Sequence, residues 1–198
     1  MNNNYKKLRY TEWFSRGNNF MVKGKYSEAI RAYERSIKLA PNDEYVWNNK
    51  GGCLNKLGKY NEAIECFDES IKLNPIDEYV WNNKGCCLNR LGKYNEAIEC
   101  FDKIIKLNPR LEYGWYNKAI SLIKFGKLEE SLEFIEKYIE IRGNYVDAWY
   151  LKGMIFEEKG EPEEAMNYYE KVLEYEPEHK ETKENIDRLR NILNETRK

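Results

Sequence analysis

The sequence predicts an all-α solenoid: five helix-turn-helix repeats of 34 residues, then a C-terminal capping helix. Three observations predict it. Residues 42–75 and 76–109 agree at 29 of 34 places, differing only at Asn42/Ile76, Gly52/Cys86, Lys56/Arg90, Glu69/Lys103 and Ser70/Ile104. All five tryptophans (Trp13, Trp47, Trp81, Trp115 and Trp149) fall on the same period. So do Pro41, Pro75, Pro109 and Pro177, with Gly143 at the remaining place. A fixed period of this length marks stacked supersecondary units, each of which buries its apolar face only against a neighbour.

Each element follows from local chemistry. Residues 1–9 are Asn- and Lys-rich and read as a frayed extension. The copies span 10–43, 44–77, 78–111, 112–145 and 146–179. In the second, Trp47, Lys50, Gly51 and Leu54 lie at i, i+3, i+4 and i+7, one face of a helix. The lysine on that face recurs as Lys84, Lys118 and Lys152, its stem covering apolar surface while the ammonium reaches water. Gly58 supplies the left-handed residue that ends this helix, and Asn61 is expected to cap the next. The second helix turns Ala63, Ile64, Phe67 and Ile71 inward and stops before Asn74-Pro75. Gly51 and Ala63 are small so that the two helices approach, with Trp47 and Phe67 wedging the ends. Asp77 caps the first helix of the following copy.

Copy four departs from this pattern. Ala119 and Ser131 replace the Gly and Ala, and Ile141-Arg142-Gly143-Asn144 replaces the Leu-Asn-Pro turn, which predicts a less rigid joint there. In the last stretch, 180–198, Ile186, Leu189, Ile192 and Leu193 form one apolar stripe on an otherwise charged helix, as a terminal cap requires.

Composition narrows the function classes. Five copies use 170 of the 198 residues and leave no room for a separate catalytic domain. The formal net charge is -1, which disfavours a generally nucleic-acid-seeking surface. Four of the five cysteines are repeat positions, Cys53 with Cys87 and Cys66 with Cys100, and they read as small buried residues rather than ligands. Cys86 and Cys87 are adjacent, so Cys-x-x-Cys spacing is missing, and neither a zinc site nor a disulfide framework is expected. Unpaired thiols, an N-terminus without a signal-peptide core and the lack of a spanning segment together predict a cytoplasmic protein with no membrane role. No phosphate-binding loop, dinucleotide turn or nucleophile elbow occurs, and the only histidine is His179. A non-enzymatic protein without catalytic residues, cofactor or metal is therefore expected.

The residues Trp47, Gly51, Leu54, Ala63, Phe67 and Pro75, repeated as Trp81, Gly85, Leu88, Ala97, Phe101 and Pro109, resemble the tetratricopeptide repeat pattern W-x2-L-G-x2-Y…A-x3-F…P. Lys stands at the usual Leu place and Leu at the usual first Tyr place. The resemblance covers residues 10–198. It implies a right-handed superhelix in which the first helix of each pair lines a concave surface that holds an extended peptide or a partner's helix.

That surface predicts the binding residues. They are first-helix positions facing away from the inter-helix core: Tyr45, Asn48, Asn49, Asn55 and Lys56 in copy two; Tyr79, Asn82, Asn83, Asn89 and Arg90 in copy three; Tyr113, Tyr116, Asn117 and Lys124 in copy four. Asparagine carries donors and an acceptor, matching a peptide backbone. With neighbouring helices about 8–10 Å apart and an extended chain rising about 3.3 Å per residue, each copy would grip roughly three ligand residues. The cations favour an acidic segment. For Asn49, Asn83 and Asn117 a second reading stands beside this: hydrogen bonding between repeats. A chaperone-tail carboxylate clamp is disfavoured, because the places it needs hold Phe14, Asn18, Asn49, Tyr79 and Asn83, without the three cations.

Alternatives belong to other classes. One is the regulatory subunit of a dedicated enzyme complex. Another is a module that self-associates head to tail, since residues 1–40 hold nine Lys/Arg against three Asp/Glu while residues 157–178 hold two Lys against nine Glu. A third is single-strand RNA binding through the tyrosines and cations, which the acidic last copy opposes.

Overall fold

The computed structural model describes the backbone of residues 3–143 and 145–196 and the side chains of 9–143 and 145–195. Among these residues there are eleven α-helices and no strand. They are α1 (Asn3–Val22), α2 (Tyr26–Leu39), α3 (Glu44–Lys56), α4 (Tyr60–Leu73), α5 (Glu78–Arg90), α6 (Tyr94–Leu107), α7 (Glu112–Phe125), α8 (Leu128–Arg142), α9 (Tyr145–Glu158), α10 (Pro162–Tyr175) and α11 (Lys180–Thr196). The fold is an all-α solenoid of helical repeats. The chain divides into two compact units, Met1–Asn108 and Pro109–Lys198.

In the first unit each odd-numbered helix packs on the even-numbered helix after it, and α3 and α5 also pack on the helix before them. One turn repeats. Gly58 sits at φ +75°, Lys59 N–H donates to Leu54 O at 3.0 Å and Gly58 N–H to Asn55 O at 3.0 Å. This is a Schellman motif, and it satisfies carbonyls that the end of α3 leaves open. The close approach is at Gly51: a Cβ there would lie 2.6 Å from the fully buried Phe67 ring. Phe67 therefore sits over the crossing point itself rather than wedging an end. Phe101 does the same over Gly85. Leu54, Ala63, Cys66, Phe67, Val80 and Cys87 form one buried cluster contributed by α3, α4 and α5, so neighbouring repeats share a core.

The repeats are also joined by polar contacts. Three of the indoles donate to the carbonyl of the proline six residues earlier: Trp47 to Pro41 at 2.8 Å, Trp81 to Pro75 at 3.0 Å and Trp115 to Pro109 at 2.9 Å. Buried Ser36 and Ser70 donate to the carbonyls of Tyr10 (3.1 Å) and Glu44 (2.8 Å), pinning the second helix of a copy to the start of its first. The lysines at the Leu place find a carboxylate of the preceding copy instead of bulk water, Lys50 with Glu34 at 3.1 Å and Lys84 with Asp68 at 2.6 Å.

Three further expectations need correction. Asp43 and Asp77 cap α3 and α5, accepting from Tyr45 N–H at 2.9 Å and Tyr79 N–H at 3.0 Å, but Asn61 does not cap α4. The Gly58 turn delivers the chain two residues sooner, so α4 starts at Tyr60 behind Lys59 and Asn61 lies exposed inside the helix. The N-terminal stretch 1–9 is helical from Asn3, continuous with α1, while residues 1–2 lie outside the described residues. The apolar stripe of α11 is buried at Ile186 and Leu189 but 44% exposed at Ile192. At the joint after copy four, α8 runs to Arg142 and Gly143 takes φ +66°, which proline cannot adopt. Asn144 lies outside the described residues.

In the second unit Ala119, Ile123, Ile135, Ala148, Leu151 and Ile155 make one buried cluster, and Ala165, Tyr169, Ile186 and Leu189 another. His179 opens α11. Its Nδ1 accepts the backbone N–H of Thr182 at 3.3 Å and lies 2.7 Å from the Thr182 hydroxyl. The lone histidine thus caps a helix.

Candidate functional site

The predicted strip differs between the two units. In the first, Tyr45 and Tyr79 stand 57% and 68% exposed near the starts of α3 and α5, held there by the Asp43 and Asp77 caps. Lys56 and Arg90 are exposed at the other ends of these helices. The Arg90 guanidinium lies 5.8 Å from the Tyr60 ring centroid. Between them Asn48, Asn49, Asn55, Asn82, Asn83 and Asn89 are all half-buried. Two of these amides link copies: Asn49 Nδ2 donates to Asn18 Oδ1 at 3.0 Å, and Asn83 Nδ2 donates to Asn48 Oδ1 at 3.2 Å. The inter-repeat reading therefore holds for Asn49, which also hydrogen-bonds the Tyr33 side chain of copy one, and for one amide hydrogen of Asn83, an amide carrying two hydrogens and an acceptor oxygen.

The change of partner has a local cause. Asn18 lies five residues after Trp13, and the equivalent place in copy two is Gly52, which offers no acceptor. Asn83 turns to Asn48 instead. A Cβ at Gly52 would meet nothing within 4 Å, so the strip has a notch there. Asn18, which also accepts the Tyr33 hydroxyl at 2.8 Å, belongs to the network and was not among the predicted site residues. Its signal was its place, one helical turn beyond the paired strip positions.

In the second unit the predicted residues are more engaged. Tyr116 is half-buried with its ring 5.3 Å from that of Tyr138, and burial pushes its hydroxyl above the ordinary tyrosine range. Tyr113 and Asn117 are half-buried too, and the Asn117 carbonyl accepts the Ser121 hydroxyl at 2.8 Å. Lys124 pairs with Glu158 at 3.5 Å. Tyr138 stands where the first unit has Ser36, Ser70 and Ile104; it donates to Asp147 and supports Tyr116 from below. The open tyrosines and cations therefore lie on α3 and α5.

Family models described as tetratricopeptide repeat match residues 10–43, 44–77, 78–111, 113–145 and 146–179. The chain belongs to the tetratricopeptide repeat family. Among solved structures, this tetratricopeptide repeat protein is similar to the MamA protein, with TM-score 0.74 and 26% identity over 85% of this chain and 92% of that one. A tetratricopeptide repeat protein from Parabacteroides merdae shares TM-score 0.82 and 16% identity over 94% of this chain and 74% of that one. YrrB, a TPR protein with an unusual peptide-binding site, shares TM-score 0.69 and 18% identity over 84% of this chain and 86% of that one. No curated protein matches.

Among the described residues no group of three His, Cys, Asp or Glu is placed to hold a metal, and no helix is long and apolar enough to cross a membrane. All five thiols are free, and Cys53, Cys66, Cys87 and Cys100 are buried. Burial pushes the Cys53, Cys66 and Cys87 thiols up to about 11 and Cys100 up to about 12. An unfolded chain ionises them from about 8.5. Above that pH the folded state binds more protons than the unfolded one, so stability falls as pH rises. The thiol contribution is thus complete below about pH 8.5 and lost toward pH 11 to 12. Thermal melts between pH 8 and 11 should fall more steeply for the wild type than for a Cys53→Ala/Cys87→Ala variant, which lacks two of these groups.

Proposed function

We propose that this tetratricopeptide repeat protein is a non-enzymatic interaction scaffold that holds an extended segment of a protein partner along the first helices. The observation that carries the reading is the pairing of exposed Tyr45 and Tyr79 at one end of α3 and α5 with exposed Lys56 and Arg90 at the other. Half-buried asparagines fill the strip between them. The amides bond a peptide backbone whatever its side chains, and the two cations favour an acidic segment. In copy four Glu158 already answers Lys124, so the contribution of Tyr113, Tyr116, Asn117 and Lys124 is smaller than that of copies two and three. Division at 10–43, 44–77, 78–111, 112–145 and 146–179, with 180–198 as the terminal cap, makes the strip a property of the repeat. A cytoplasmic setting belongs to the same proposal. The experiment is capture of partners by the wild type and by a Lys56→Glu/Arg90→Glu variant, with loss of partner from the variant expected.

A second reading is head-to-tail self-association. It rests on the exposure of Lys23, Lys25, Arg31 and Lys38 in the first copy and of Glu161, Glu163, Glu164 and Glu174 in the last. Light scattering at low salt should then show mass rising with concentration and falling on adding salt. A constant monomer mass removes this reading and leaves the scaffold reading standing.

A further inference from the structure

A second surface lies between the two helices of one copy, away from the first-helix strip. Between α3 and α4 a cleft of about 460 Å3 is floored by Trp47, Leu54 and Cys66 and rimmed by Glu62, Glu65 and Glu69. The equivalent cleft between α5 and α6 is about 240 Å3. The other copies fill this place from their own chain. Copy four has Phe134 where copy two has Cys66, and its ring lies 5.8 Å from that of Trp115 with the Lys118 ammonium 4.0 Å above it. Copy five has Tyr168 there, stacked on Phe156 at 5.3 Å. Copy one has the small Ala32, but Arg35, at the place of Glu69, lays its guanidinium 4.3 Å from the Trp13 ring, and Arg16 lies 4.8 Å from it.

Copy one thus shows what an indole in this place accepts: an arginine. In copy two Glu69 stands at the place of that arginine and Cys66 at the place of the rings of copies four and five, leaving the indole and the rim carboxylates without either occupant. Lys50 also lines the cleft, but its ammonium is tied to Glu34 at 3.1 Å and reaches only the outer limit of the indole face, 5.9 Å from the Trp47 centroid, so a guanidinium would share the ring with it rather than find it empty. The rim carboxylates pair only with exposed neighbours, Glu62 with Lys59 and Glu69 with Lys72, and such exposed pairs exchange readily. Copy three carries Lys103 in place of Glu69, which weakens the acidic rim.

We propose that the cleft between α3 and α4 receives an arginine side chain from a basic segment of a protein partner, its guanidinium stacked on Trp47 and paired with Glu65 and Glu69. Guanidinium planes both stack on indoles and pair with carboxylates, which an ammonium does less well. The probe is N-acetyl-Gly-Arg-Gly-amide, titrated at low salt while the indole N–H resonances of the tryptophans are followed by NMR. Trp47 is expected to shift with saturation, Trp81 at higher peptide concentration, and Trp115 and Trp149 not at all. Glu69→Arg, which places at the cleft the residue type found in copy one, should weaken the Trp47 response at least tenfold while leaving the other indole resonances in place as proof of folding. Cys66→Phe, which imitates copy four, should abolish it. The proposal is overturned if Trp115 shifts in parallel with Trp47, if Glu69→Arg leaves the Trp47 titration unchanged, if Trp47 does not shift, or if the same peptide with norleucine for arginine shifts it equally. None of these outcomes touches Asn48, Asn82 or Lys56, so failure here leaves the strip reading standing.

Discussion

Gly51→Val is expected to destabilise the first unit by about 3 kcal/mol or more, the cost of overpacking a core position that cannot give way. The added Cβ would fall 2.6 Å from one ring carbon of Phe67 and 2.9 Å from another. The ring is fully buried in the cluster that α3, α4 and α5 share, so it cannot swing aside without opening a cavity. The neighbouring substitution has the opposite sign. Gly52 lies in the middle of α3 with nothing within 4 Å of a Cβ, so Gly52→Ala should stabilise by about 0.5–1 kcal/mol through helix propensity alone. Thermal melts followed by circular dichroism read both. Two adjacent glycines moving the midpoint in opposite directions would separate packing from backbone freedom, and equal losses at both would contradict this account of the repeat. Because a solenoid is stabilised by nearest-neighbour interfaces, the Gly51→Val melt should also lose cooperativity.

The second large effect concerns binding. Lys56→Glu/Arg90→Glu changes the local charge by four without touching the buried core, since both side chains are exposed. An acidic partner segment should be lost by tenfold or more in capture experiments, and wild-type capture should weaken as salt is raised past the point where the screening length is about 8 Å. The melting temperature should stay within a few degrees of the wild type, because both side chains are exposed and neither belongs to the buried cluster of α3, α4 and α5. Undiminished capture by the variant would show that the cations do not select the partner.

Much of this was legible in the sequence because the repeat multiplies every signal. A lone Gly58 is weak, but Gly24, Gly58, Gly92 and Gly126 at one spacing dictate a left-handed turn, and all have positive φ. The Gly-to-ring approach was read from residue size, and Gly51 and Phe67 meet as that reading requires. What escaped was set by contacts between copies. The Trp-to-Pro hydrogen bond joins two residues whose shared period was visible while their reason for sharing it was not. Lys50 looked like a side chain reaching for water, but its partner Glu34 lies in the previous copy, where helix periodicity says nothing. Tyr116 was placed on the open strip by register alone, and Tyr138, standing where the first two copies have serine, draws it into packing. Asn61 failed as a cap because the tight turn at the left-handed Gly58 starts the helix two residues earlier, behind Lys59. In the candidate site the positions were readable, but the division of each asparagine between neighbour and ligand was not, since it depends on whether the residue one turn away is Asn18 or Gly52.

The central claim is that a partner's chain runs along the first helices of copies two and three, and site-specific photo-crosslinking tests it most directly. A benzophenone amino acid is placed in one protein at Tyr79, exposed on α5, and in another at Ser27, exposed on α2 and outside both the strip and the α3/α4 cleft. The account predicts that a captured partner is crosslinked from position 79 and not from position 27. Crosslinking from position 27 alone would contradict it.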